Sequence, residues 1–201
     1  MIDVKNAICN TPLCDKHSQI DGKCIRCFYA LNPNDKRCKR IKLKENEVVK
    51  YIKQEFNELN WIFDMFISGD GLCFNVRPDA LLHLNNHSLI IEIDENQHKF
   101  YDVSCDEART HKIQEALDRP IIIIRFNPDE YIDNNKQKIK SCFKVDKKLG
   151  LTIIPKNEEE NWNDRLKTLK KTILENLIKI SENPIKIIKL YYDEFDCNII
   201  K

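Results

Sequence analysis

Two hundred and one residues with 33 Lys and Arg against 32 Asp and Glu, a net charge of +1, leave room for one medium domain plus an appendage and exclude a polycation held on nucleic acid by net charge. Any surface for nucleic acid must then be local. No apolar run is long enough to span a bilayer, and Met1 to Lys5 lack a signal peptide's apolar core, so a soluble protein of the cytoplasm or nucleus is expected.

Nine cysteines without a secretion signal argue for metal rather than disulfides. Five of them, Cys9, Cys14, Cys24, Cys27 and Cys38, fall within the first 38 residues. Cys14-x₂-His17 and Cys24-x₂-Cys27 are two chelating pairs flanking a loop with Asp21-Gly22, and two such pairs can close a tetrahedral Zn²⁺ site. Cys9 is the alternative to His17 as fourth ligand, and Cys38 is a spare or a partner in a second site. The segment has few large apolar residues, so zinc would have to fold it. Residues 1–44 are therefore expected to be a structural zinc module ending in the chain's densest basic run, 36–44, which either contacts phosphates or is a solvated linker.

Residues 45–147 read as an α/β core. Val48, Ile52, Phe56 and Leu59 mark an amphipathic helix over 45–59. A first strand is expected over 61–66 and a turn over 68–71. Residues 77–98 read as a β-hairpin: Ala80, Leu82 and Leu84 alternate, Asn85-Asn86 is a turn pair able to take positive φ, and 88–94 is an apolar return strand. A loop over 99–105 and a helix from about Ser104 follow, with Asp106 and Glu107 at its N-terminus. Ile121 to Phe126 is a buried strand, ended by Asn127-Pro128.

Residues 148–201 read as a C-terminal helical extension. Leu151 to Ile154 suit a short edge strand, and Trp162, Leu166, Leu169, Ile173, Leu177 and Ile180 form one stripe of a helix over 158–180. That stripe is expected to pack on its own domain, with a homodimer as the alternative. Pro184 breaks the helix, and 185–195 suit a second helix or a terminal strand.

The chemistry concentrates in the hairpin. Asp79 opens its first strand, while Glu92 and Asp94, two residues apart, share a face of the second. Burying like-charged carboxylates together is costly unless a cation neutralises them. An oxygen-rich cluster of this kind suits Mg²⁺ or Mn²⁺. The competing account is a salt-bridged strand end with Arg77 or Arg109 as partner.

Pro78-Asp79, Glu92-Ile93-Asp94 and Gln97-His98 together resemble the divergent branch of the PD-(D/E)xK nucleases that includes very-short-patch repair and homing endonucleases. The wider string, through Arg119-Pro120 and Arg125 to Asp129, looks like a group of giant-virus and algal proteins in which the nuclease-like domain follows Cys/His repeats. The resemblance implies a restriction-endonuclease-like three-layer α/β fold and Mg²⁺- or Mn²⁺-dependent cleavage of DNA, double-stranded by analogy. Asp79, Glu92 and Asp94 would then hold the catalytic cation. His98, an imidazole that titrates near neutrality, would accept a proton from water. Arg109 would hold a phosphate or orient Glu92, and Glu45, or else Glu47, would approach from the preceding helix. The superfamily's usual lysine falls at Asp94, a departure this branch shares. The alternative is a binding or regulatory protein whose chemistry has lapsed.

Overall fold

A computed structural model describes residues 8–12, 14, 18, 20–24, 27–28, 31–32, 35, 43–67, 76–98, 103–146, 151–179 and 183–195. The chain forms two compact units, Met1–Leu43 and Lys44–Lys201.

In the second unit, helix α1 (Leu43–Glu55) precedes strands β1 (Ile62–Phe63), β2 (Ala80–His83) and β3 (Ser88–Ile93). Helix α2 (Val103–Leu117), strand β4 (Ile121–Phe126), and two small hairpins, β5 (Tyr131–Ile132) with β6 (Lys138–Ile139) and β7 (Lys144–Asp146) with β8 (Leu151–Ile153), follow. Helix α3 (Glu159–Ile178) and strand β9 (Ile185–Leu190) complete it. The main sheet runs β1-β2-β3-β4-β9, antiparallel through β3 and parallel from β3 to β9.

Each parallel strand pair needs a crossover, and the two helices supply them on opposite faces. Alternation along β3 and β4 puts Ile90, Ile121 and Ile123 on one face, where they pack with Leu81 and with Ile113 of α2. The other face carries Phe126, whose ring meets Trp162 of α3 at 5.9 Å. Both faces are covered, so every residue of β3 and β4 is buried. Each fully buried Ile contributes roughly 2 kcal/mol, and this double-sided packing is the main stabilising element. The result is a mixed α/β fold of three layers.

Several expectations change. Residues 148–201 are not an appended helical extension: β9 pairs in register with β4 from Ile121↔Ile185 to Phe126↔Leu190, so no boundary falls at 147–148. β9 is an edge strand of the sheet, and its two lysines point to opposite faces, Lys186 donating to Asn176 Oδ1 of α3 at 3.0 Å. Leu151–Ile153 pairs with β7 in a separate hairpin rather than at the edge of the main sheet. The α3 stripe, by contrast, packs within its own domain as expected: Trp162, Leu166, Leu169 and Ile173 are all buried. The first strand is only two residues long, because Asp64 takes φ 55° and turns the chain out of extended geometry. The hairpin closes through Leu84 to His87 without positive φ at Asn85 or Asn86. Arg119 instead holds that turn, donating to the Leu84 and Asn85 carbonyls at 2.7 and 2.9 Å. The expected turn at 68–71, most of the basic run 36–44 and the start of the loop at 99–102 lie outside the described residues, as does Ile180 of the stripe.

Among the described residues, no helix is long and apolar enough to cross a membrane.

Candidate metal centres

In the first unit, the backbone brings four cysteines together. A turn at Asp21-Gly22, both with positive φ, is closed by the Ile20–Lys23 bridge and by Asn10 N–H donating to Gly22 O at 2.8 Å. Gly22 is required: at φ +74° a Cβ would lie 2.9 Å from Asn10 Nδ2. This turn carries the chain from the Cys9–Cys14 arm back to Cys24 and Cys27. The Cys27 amide faces Cys24 Sγ at 3.4 Å, a donor aimed at a sulfur that carries negative charge once it binds metal.

The four Sγ atoms of Cys9, Cys14, Cys24 and Cys27 lie within 4.8 Å of one another. Cys14 and Cys24 are 3.8 Å apart, far beyond a disulfide. It matches the edge of a tetrahedron built from Zn–S bonds of about 2.3 Å, which is about 3.8 Å. The donor set therefore fits a thiophilic tetrahedral ion such as Zn²⁺, with Cys9 in the fourth position. Burial pushes the Cys9 thiol up, but hydrogen bonds from Thr11, Cys24 and Cys14 outweigh it and bring the thiol to about 6. His17 and Cys38 lie outside the described residues.

The second candidate centre lies at the C-terminal end of β3 and β4, where ligands bind in open α/β sheets. Pro78 cannot extend the β2 ladder, and the next residue takes over with its side chain: Asp79 Oδ2 accepts the Ile93 N–H at 2.7 Å. That bond fixes Asp79 beside the residue after Glu92. Glu92 points to the α2 face and is 4 % exposed. Arg109, on α2, donates to Glu92 Oε2 at 3.2 Å and to the Arg77 carbonyl at 3.3 Å. Glu92 Oε1 is buried, 3.0 Å from the same guanidinium but out of hydrogen-bond alignment.

Burial drives the Glu92 carboxyl upward. Arg109 opposes, the negative charges of Asp79 and Asp94 reinforce, and it settles at about 8. Two adjacent carboxylates, one buried with an oxygen outside any hydrogen bond, suit a hard divalent cation.

Asp94 departs from its expected part in a three-carboxylate cage. Its Oδ2 accepts from Arg125 Nε and from the Tyr192 hydroxyl. Arg125 stands opposite Glu92 in the β3–β4 register and so shares its face. Among the described residues the cysteine tetrad forms a close ligand group, and Asp79, Glu92 and Asp94 do not. Burial and the Asp94 charge push the Tyr192 phenol far above its ordinary value. Glu45 stands in the first turn of α1 and Glu47 half a turn on. His98 closes the 3₁₀ turn Glu95–His98, but its side chain lies outside the described residues.

The residues that sequence reasoning did not place in this site are Arg125, Tyr192 and a supporting shell. Asn96 and Gln97 both take left-handed φ, 54° and 56°, a cost of about 1–2 kcal/mol each. Asp129 offsets it by accepting the Asn96 N–H at 3.0 Å and pairing with Lys44 at 2.7 Å. The Gln97 amide donates to Asp193 at 2.9 Å and to the Glu130 carbonyl at 3.1 Å. A charged Arg125 inside an Ile run was a readable signal of a buried partner; Tyr192 gave none.

Comparison with protein-family models, curated proteins and solved structures finds no match to this chain.

Proposed function

We propose that this protein is a divalent-metal-dependent DNA endonuclease that hydrolyses phosphodiesters. The observation that carries the reading is Glu92: a buried carboxyl at a strand end, near Asp79, whose Oε1 accepts no hydrogen bond. The motif string around it supports the same reading. Asp79 and Glu92 would hold Mg²⁺ or Mn²⁺. Bound there, the cation would polarise the scissile phosphate and lower the pKa of a coordinated water.

The chain's own residues do the rest. Arg109 orients Glu92 and, one-third exposed, stabilises charge that builds on the phosphate. His98 accepts the proton of the attacking water. Asp94, bound by Arg125 and Tyr192, positions the strand end rather than ligating. Glu45 is assigned no step. Target choice falls to residues 1–44, through the cysteine module and the basic run.

One observation favours a second reading. The place where the wider superfamily keeps a lysine holds Asp94, already neutralised by Arg125, as a binding protein with lapsed chemistry could tolerate.

Cleavage of supercoiled plasmid in Mg²⁺ or Mn²⁺ by zinc-loaded protein separates the two. Wild type should give nicked or linear DNA, with Asp79→Ala inactive and His98→Ala reduced at least a hundredfold. Tight DNA binding without cleavage under either metal would establish the binding protein instead. Equal cleavage by all three proteins would show that these residues are not the site.

A further inference from the structure

We infer that Tyr192 is a positioning residue for the carboxylate site, setting its affinity for a divalent cation from a loop 98 residues away in sequence. The inference rests on the proposal that Asp79 and Glu92 hold such a cation. The strand end that carries Glu92 is held by three bonds of different origin. Ile93 N–H is bound from the β2 side by Asp79, and Asp94 N–H from the β4 side by the Phe126 carbonyl at 2.9 Å. The third is the Asp94 side chain, gripped by Arg125 and the Tyr192 hydroxyl.

Tyr192 reaches Asp94 because the chain reverses sharply after β9. Tyr191 takes φ 62°, a left-handed value that is costly for an aromatic residue. Its ring is locked edge-on to Phe126 at 5.7 Å and under the Arg165 guanidinium at 5.0 Å. That reversal turns the next side chain to the opposite face of the sheet, where Lys189 covers the Tyr192 ring at 5.4 Å. The loop is tied to the residues after Asp94 a second time: Gln97 donates to Asp193 at 2.9 Å and accepts the Asp193 N–H at 3.0 Å. A strained turn spliced twice to the strand end fixes where Glu92 stands relative to Asp79. Two carboxylates must be held at a fixed spacing to bind one small cation well, because Mg²⁺ and Mn²⁺ tolerate little distortion of their octahedron.

The test is Mn²⁺ binding to the zinc-loaded full chain, read from the electron-paramagnetic signal of the free ion, for wild type, Tyr192→Phe and Asp79→Ala. Far-UV circular dichroism, zinc content and the urea midpoint are measured alongside. The expected result is a dissociation constant for Mn²⁺ at least threefold higher in Tyr192→Phe, with wild-type circular dichroism and zinc content, and loss of this binding in Asp79→Ala. A purely structural tyrosine would lower the urea midpoint without changing the affinity of the folded protein. A shift below threefold, with Asp79→Ala still defective, overturns the role of Tyr192 and leaves the carboxylate site standing. Absence of Mn²⁺ binding in wild type, or equal binding by Asp79→Ala, refutes the site and this inference with it. Should Tyr192→Phe fail to fold, Asp193→Asn, which loosens the same loop through Gln97, is held to the same threshold.

Discussion

Replacing Glu92 with Gln should abolish the pH dependence of stability that this carboxyl imposes. Burial is the largest cause that raises it, from an ordinary 4.5 to about 8. The folded chain then holds a proton on Glu92 that the unfolded chain has already released between those two values. Stability from this group is fully present below pH 4.5 and is lost as pH rises through 8. At about 1.4 kcal/mol per pH unit, the whole loss is on the order of 5 kcal/mol. Glu92 is 4 % exposed, so solvent screening takes little from that figure. Glu92→Gln keeps the shape and cannot ionise. Urea unfolding of zinc-loaded wild type and Glu92→Gln, without added divalent cation, at pH 5 and pH 8.5 reads the difference directly. The variants should be similar at pH 5, and Glu92→Gln more stable by several kcal/mol at pH 8.5. Adding Mn²⁺ at a hundred times its dissociation constant should restore about 2.7 kcal/mol to wild type alone. The reasoning is refuted if the two proteins keep the same difference at both pH values.

Arg125→Ala should destabilise by about 3–5 kcal/mol, since Asp94 would remain buried without its cation; Arg125→Met combined with Asp94→Leu should recover most of that loss in urea titrations. Cys9→Ala should lower zinc affinity at least a hundredfold in competition with a chromophoric chelator, and a cobalt spectrum of four-thiolate type that survives this change would show the ligand set to be wrong. Gly22→Ala should weaken zinc binding as well, because it places a methyl group against Asn10 at a left-handed position. Phe126→Ala, which empties a ring contacted edge-on by Trp162 and Tyr191, should cost about 3–5 kcal/mol by the same urea assay.

What could be read along the chain was whatever local pattern controls. The Ile run of β4 and the return strand β3 are apolar on both faces, so their burial is visible without a fold. The stripe of α3 announces a covered helix because period 3.6 puts Trp162, Leu166, Leu169 and Ile173 on one side. Paired cysteine spacings likewise mark a chelating site before any coordinates exist. Strand ends were less legible: Asp64 ends β1 through a backbone reversal held by Arg77, thirteen residues on.

Tertiary structure alone decided the rest, since it turns on which distant segments meet. The sequence of β9 permits a strand or a helix; its pairing with β4, bridged by α3, makes it a strand and makes the last quarter of the chain part of the core. Asp94 looked like a third carboxylate of a cation site by its spacing from Glu92. Parallel register brings Arg125 to the same face, and a reversed loop brings Tyr192, so its charge is already matched. Spacing put His17 in the tetrad and left Cys9 as its alternative; the turn at Gly22 brings the Cys9 arm back to the other three sulfurs. Spacing states what one segment can offer; the neighbours that satisfy or leave open a buried charge come from elsewhere in the chain, and only the fold determines which they are.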